Sequence, residues 1–317
     1  MFKSHLSIYV SQIFDIFSSL RPKRPSVVKD ISRPKTLYLQ SVLVLRFNQK
    51  SRFMSFAGTE PEYKRLDDIH NAIRGVQNGA VSFTELENPK YILDMGCGSA
   101  AWSIQAAETY PNAKVLAADI ISKPNRYFPE NIRYKQVDLC KPFPSEFKPA
   151  SFDTIHARLL FIHLPNYKDI IEKTITLLKP GGWLLITDVV VVPYGIRNPI
   201  PTRLYRFFKG RADWIASTGG SPNIGQELAN VLGSFPQLVE VNVKKIAIPI
   251  SRWQDESLDP ALRELAAAMR RSLLFGINTP QFGMSEEQSR QSCLETIPIS
   301  LNTVQELKVT NRSREML

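Results

Sequence analysis

A three-layer α/β fold, doubly wound around a mostly parallel sheet, is the architecture that this 317-residue sequence predicts, and three observations carry the prediction. Short apolar runs alternate with helical patterns at intervals that fit βαβ units. A glycine turn, Gly96-Cys97-Gly98, follows the first of those runs and opens into an alanine-rich stretch. Aspartates close three of the runs, at Asp94, Asp119 and Asp138, on the edge where an open parallel sheet receives ligands.

Each element has its own local reason. Tyr63, Leu66, Ile69, His70 and Ile73 share one helical face, Pro61 suits a first turn and Gly75 a stop, so a helix is expected over 61–75. YIL at 91–93 reads as a strand that breaks into the glycine turn, followed by a helix over 100–109. KVLAAD ends a second strand at Asp119 and IRYKQVD a third at Asp138. FDTIHARL supplies a fourth around 153–156; a helix over 167–178 and the turn KPGG then lead to a fifth, WLLIT at 183–187. Right-handed crossovers place the carboxyl ends of these strands on one edge.

Beyond them, LVEVNVKKIAIPI at 238–250 reads as a strand, whereas SLNTVQELKVTNRSREML at the end shows no convincing one. The expected organisation is a basic leader over 1–56, a ligand-binding domain over 57–250, and a helical C-terminal segment over 251–317 that completes or flanks it. In the leader, residues 6–20 have the spacing of a short amphipathic helix, open between a mitochondrial presequence, a membrane-surface anchor and a poorly ordered stretch. LYLQSVLVLRF at 37–47 has strand-like composition.

Charge and cysteine usage narrow the function classes. The formal charge is +10, but the first 56 residues hold ten Lys or Arg against two Asp, so the remainder is close to neutral. Nucleic acid is therefore not an expected partner of the body of the chain. Cys97, Cys140 and Cys293 form no CxxC pair, which leaves neither a disulfide framework nor a metal site, and a reducing compartment fits. The cytoplasm is expected, with mitochondrion and nucleus open. No run approaches the roughly 18 apolar residues of a membrane-spanning helix.

Gly96 and Gly98 allow a backbone to pass close to a ligand, with helix N–H groups behind. With Ala101 in the third place, the string satisfies a relaxed dinucleotide fingerprint, so a nicotinamide or flavin oxidoreductase is an alternative. Charge argues against it. A carboxylate about 4 Å from a pyrophosphate costs about 4 kcal/mol at an effective dielectric of about 20, and Asp94 stands where that pyrophosphate passes. A cationic nucleoside without phosphate suits the acids better. Asp94 is expected near its ammonium-bearing end, Asp119 as acceptor for both ribose hydroxyls and Asp138 for the adenine amino group.

Read together, YILDMGCGSAAW, VLAADI, VDLCKPFP, SFDTIHARLLFIHL and LLKPGGWLLITD resemble, in order and spacing, the motifs of class I S-adenosylmethionine-dependent methyltransferases. EYKRLDDIH, Trp102 and the tryptophan of PGGW make the chain similar to the fungal secondary-metabolism methyltransferases, which include tailoring enzymes and a velvet-complex regulator. The resemblance implies a Rossmann-like fold, S-adenosylmethionine as cofactor, and in-line methyl transfer to oxygen or nitrogen of a small metabolite. For a regulator it implies a protein partner instead. It assigns cofactor contacts to Asp94, Gly96, Gly98, Asp119, Ile120, Asp138, Leu139 and Arg158. The sequence departs from the family at Ala100, where a third glycine is usual, and this is expected to tighten the approach to the methionine moiety.

His156 is the candidate base for an acceptor hydroxyl, against the alternative of a satisfied structural histidine, and the same choice stands at His163. Arg158 is expected to order the site or hold an acidic acceptor, or else to form a surface ion pair. Tyr194, Tyr205, Phe207, Phe208 and Trp214 follow the fifth strand, where acceptor-binding elements are inserted, and are open between core and substrate roles.

Overall fold

The computed structural model describes residues 57–191, 194–195, 202–249, 254–275 and 299–311; the leader and the run at 37–47 lie outside them. In chain order the elements are α1 (Glu60–Val76), β1 (Tyr91–Met95), α2 (Ala101–Thr109), β2 (Lys114–Asp119), β3 (Ile132–Gln136) and β4 (Phe152–Arg158). After a 3-10 turn at Phe161–His163 follow α3 (Tyr167–Leu177), β5 (Leu178–Asp188), β6 (Tyr194–Gly195), α4 (Thr202–Ser217) and α5 (Ile224–Gly233). The last are β7 (Leu238–Pro249), α6 (Pro260–Phe275) and β8 (Ile299–Asn311).

Five strands, in the order β3-β2-β1-β4-β5, are parallel, and β8 then joins β5 antiparallel. The three-layer, mostly parallel architecture expected from the sequence is therefore the one observed. Along the buried strands alternate residues point to opposite faces. Leu93, Met95, Ile155, Ala157, Leu184 and Ile186 face one way, into a core completed by Ile171 and Ile175 of α3 and Leu228 and Leu232 of α5. Ile92, Val115, Ala117 and Leu185 face the other way, onto Trp102, Ala106 and Ala107 of α2. A third cluster joins Ile69 and Ile73 of α1 to Phe207 and Phe208 of α4 and Leu265 and Met269 of α6.

One local expectation is corrected and one open choice is narrowed. Gly75 does not stop α1, which runs to Val76, while the chain reverses around Gly79 in a left-handed conformation. Phe207 and Phe208 are core residues at 0% and 2% exposure, because α1 and α6 cover that side of α4, so they are not free for an acceptor. Of the other aromatics, Trp214 packs against the main core and Tyr205 is exposed, while the Tyr194 side chain lies outside what is described.

The largest correction concerns the C-terminal segment. It is not simply helical: after α6 it returns as β8, a 13-residue strand inserted between β5 and β7. The motif ELKVTN shows little alternation of its own. Its strand state comes from pairing with β5 from Trp183 to Asp188 on one side and with β7 on the other, which satisfies its backbone groups. The domain therefore extends past residue 250. Truncation after residue 298 should leave β5 and β7 as unpaired edges, and we expect loss of the cooperative melting transition, checked by circular dichroism and light scattering.

Candidate functional site

The carboxyl edge of the sheet gathers the glycine turn, the ends of β2 and β4 and the N-terminal half of α1. Gly96 and Gly98 adopt φ of +67° and +54°, a region that a side chain occupies at a cost. A Cβ at Gly96 would come within 2.6 Å of a Leu160 methyl, and one at Gly98 within 2.9 Å of a Leu66 methyl. The turn is stapled to β2 through its own amides. Gly96 and Cys97 both donate to the Ala118 carbonyl, at 2.8 and 3.0 Å, and Gly98 donates to Oδ2 of Asp119 at 2.7 Å. Oδ1 of Asp119 accepts from the Ile121 amide at 3.2 Å. Burial pushes this carboxyl up, and the amides of Gly98, Ile121 and Ile120 oppose the shift.

Asp94 is not on the rim. Strand parity turns it toward α2, where it is 2% exposed, with Oδ2 accepting from Ser103 Oγ at 2.5 Å and Oδ1 2.8 Å from Nδ1 of His156. The register that places Asp94 beside His156 on neighbouring parallel strands brings the two together. The His156 ring stacks on Trp102, centroids 3.7 Å apart and planes 6° from parallel, and Trp102 Nε1 donates to the Val81 carbonyl at 2.8 Å. Burial lowers the pKa of His156 while Asp94 raises it. Asp94 thus has both oxygens engaged inside the protein instead of turned to the rim, and His156, buried between Asp94 and Trp102, has the geometry of the satisfied-histidine alternative.

The remaining predicted contacts divide. Ile120, at 45% exposure, stands open at the end of β2. Asp138 accepts from the Cys140 amide at 3.0 Å within its own turn and lies 3.7 Å from Lys141 Nζ. Leu139 turns its side chain into the core, which leaves only its main chain for a ligand. The Nη2 of Arg158 lies 3.1 Å from Nδ1 of His70 on α1. Burial first, then Arg158, push His70 down to about 3, so the ring is neutral and accepts from the guanidinium.

Several residues of the site carried no signal in the sequence. Arg126 ties the turn to α1, donating to the Ser99 carbonyl at 2.8 Å and to Asp67 at 2.9 Å. Burial raises the pKa of Tyr63 on α1, with Asp119 and Cys97 adding to it. Asp188, fully buried at the end of β5, accepts from the Ile162 amide at 3.1 Å and the Val189 amide at 2.9 Å, so it fixes the turn that carries His163. Burial pushes Asp188 up to about 7. The contacts of Arg126 with Asp67 and Ser99 and of Asp188 with Ile162 join positions 26 to 59 residues apart, which no local spacing encodes.

Ala100, the departure from the glycine pattern, takes φ +62° and ψ +17° with its methyl fully buried, immediately before α2. The turn thus keeps its left-handed step without glycine.

A family model described as a methyltransferase domain matches residues 69–215. Methyltransferase str2 of Strobilurus tenacellus is 38% identical over 223 residues, which cover 68% of this chain and 76% of that protein. The secondary metabolism regulator LAE1 of Cochliobolus heterostrophus is 32% identical over 230 residues, covering 70% of this chain and 73% of the regulator. Among solved structures, phosphoethanolamine N-methyltransferase 2 of Haemonchus contortus, in complex with S-adenosyl-L-methionine, shares the fold with a TM-score of 0.51 at 16% identity. That match covers 82% of this chain, which spans 59% of the Haemonchus protein.

At Gly98 a Cβ adds left-handed strain and pushes Leu66, so Gly98→Ala should destabilise by about 1–3 kcal/mol. At Ala100 relief of a similar strain is offset by the loss of one buried methyl and by the flexibility of an unfolded glycine, so Ala100→Gly should stay within about 1 kcal/mol of wild type. Urea denaturation of the two variants checks both. Asp188 is protonated more readily folded than unfolded, so its contribution is fully present below the ordinary carboxylate range and is lost as pH rises through about 7. The urea midpoint should therefore fall between about pH 5 and about pH 8 by more in wild type than in Asp188→Asn.

Proposed function

The chain belongs to the class I S-adenosylmethionine-dependent methyltransferases, and on that premise we propose that it methylates an oxygen or nitrogen of a small-molecule acceptor in fungal secondary metabolism. The observation that carries the cofactor's placement is the closure of the glycine turn on Asp119. That closure fixes a carboxylate at the end of β2 with one lone pair on each oxygen still available, an arrangement suited to two ribose hydroxyls. Ile120 offers an apolar lip to the adenine, and Asp138 and the main chain of Leu139 border its far side. The helix α2 starts at Ala101 without a side-chain cap, so its first amides suit the carboxylate of the methionine moiety.

Electrostatics support the same ligand. The cation nearest the turn, Arg126, is paired with Asp67, which leaves Asp94 and Asp119 to set the local sign. A sulfonium and an ammonium fit that field and a pyrophosphate does not. The bound cofactor supplies an already activated methyl group. The protein's task is then to align the acceptor and exclude water, with Leu66 and Leu160 closing over the two glycines.

A regulatory role through a protein partner is the second reading, favoured by the likeness to LAE1. Calorimetry separates these readings from an oxidoreductase. S-adenosylhomocysteine should bind in the micromolar range and NADH should give no heat. Asp119→Ala should weaken the binding by about tenfold or more, because charge-assisted hydrogen bonds are lost. Absence of heat with S-adenosylhomocysteine would remove the transferase reading. If the cofactor product binds and a partner protein co-purifies from the native host while no small metabolite is methylated, the regulatory reading replaces the tailoring one.

A further inference from the structure

The helix α4 buries a stripe formed by Phe207, Phe208, Ala212 and Ile215. Arg211 lies on that stripe, three residues after Phe208 and four before Ile215, so a guanidinium projects where the helix otherwise places apolar side chains. Among the described residues Arg211 has neither a hydrogen-bond partner nor an ion pair. The one acid of α4, Asp213, has both oxygens within 2.9 Å of Lys209 Nζ on the exposed face. Arg65, close by on α1, is committed to Glu62 through two hydrogen bonds of 2.7 and 2.6 Å and adds positive charge rather than relieving it.

Burial pushes Arg211 down to about 10, with Arg65 contributing, and burial together with Arg211 and Arg65 pushes His163 down to about 3. Arginine does not escape such a place by losing its proton at physiological pH, so an uncompensated charge persists there. The side chain keeps partial exposure, which leaves a path for a ligand. Its position relative to the chemistry is also defined. The His163 amide donates to the carbonyl of Leu160 at 3.0 Å, and Leu160 is the residue that packs on Gly96. Ala212 and Ile215, which flank Arg211 on the stripe, share a core with Phe161 and Ile162, so the cation stands beside the turn that follows β4, whose Leu160 packs on Gly96.

We propose that Arg211, with His163 and Arg65 beside it, receives a carboxylate carried by the acceptor, so that the enzyme's small-molecule substrates are organic acids anchored through that group. The inference rests on the methyl-transfer reading and names its substrate class. A carboxylate matches the planar fork of the guanidinium with two parallel hydrogen bonds, and it supplies the negative charge that the described residues do not. The anchoring group binds Arg211 as an ion and takes no part in the transfer.

The test uses the full chain saturated with S-adenosylhomocysteine and reads its melting temperature with millimolar benzoate, trans-cinnamate and octanoate, against benzamide and cinnamamide. At least one carboxylate should raise the melting temperature, and its neutral counterpart should not. Arg211→Gln should abolish the carboxylate response, Arg211→Lys should keep part of it, and the exposed-face control Lys209→Gln should keep all of it. Without carboxylate, Arg211→Gln should melt at or above the wild-type temperature, since it removes an uncompensated charge from an apolar stripe; an arginine with only a structural role would melt lower when replaced. No response to any of the three carboxylates, or an undiminished response in Arg211→Gln, overturns the proposal. Should the Arg211 variants not fold, phenylglyoxal modification of Arg211 in the wild-type protein, mapped by peptide mass spectrometry, decides. The responding carboxylate should slow it several-fold, and an unchanged rate overturns the proposal. Failure of S-adenosylhomocysteine to bind is a separate result, which removes the transferase reading itself.

Discussion

The contact between the Gly98 amide and the Asp119 carboxylate is the constraint on which the rest of the site depends. The chain leaves β1 in a left-handed step at Gly96 and again at Gly98, conformations that glycine takes without strain but that leave the turn many alternatives unless the surroundings select one. Here the end of β2 does so, taking two amides on the Ala118 carbonyl and the third on Asp119. One carboxylate thereby sets the shape of the turn and presents acceptor oxygens beside it. The turn and the sugar-binding acid are one mechanical unit, and a shift in either displaces both.

Beneath that unit lies a second, buried layer. Asp94, Ser103, His156 and Trp102 form a buried polar block under the start of α2, held by hydrogen bonds of 2.5 and 2.8 Å and by ring stacking at 3.7 Å. A buried carboxylate near a helix N-terminus is favourable in itself, and it fixes the helix against β1 and β4. It also keeps the field under the turn negative, which suits a cationic nucleoside better than a dinucleotide. Around His163 the sign reverses, with Arg211 and Arg65 both acting on its ring.

The comparisons reach the family and stop short of the acceptor. The chain is 38% identical to an enzyme named as a methyltransferase and 32% identical to a protein named as a regulator.

The strands, the glycine turn and the acids at the strand ends were legible in the sequence, because period, turn chemistry and spacing are written within ten or so residues of one another. Asp119 was placed correctly at the end of β2 on those grounds. The direction in which Asp94 points was not legible, since it follows from sheet parity combined with the Asp94–His156 register, a pairing across 62 positions of chain. The same holds for β8, whose residues become a strand only because β5 and β7 each offer an unpaired edge. Arg126, Asp188 and Arg211 are ordinary letters in the sequence and take their roles from neighbours far away in the chain. Local chemistry by itself determined which ligand this edge of the sheet suits; only tertiary packing decided which charges face that ligand and which are buried behind it, because the facing of a side chain depends on partners brought together by folding.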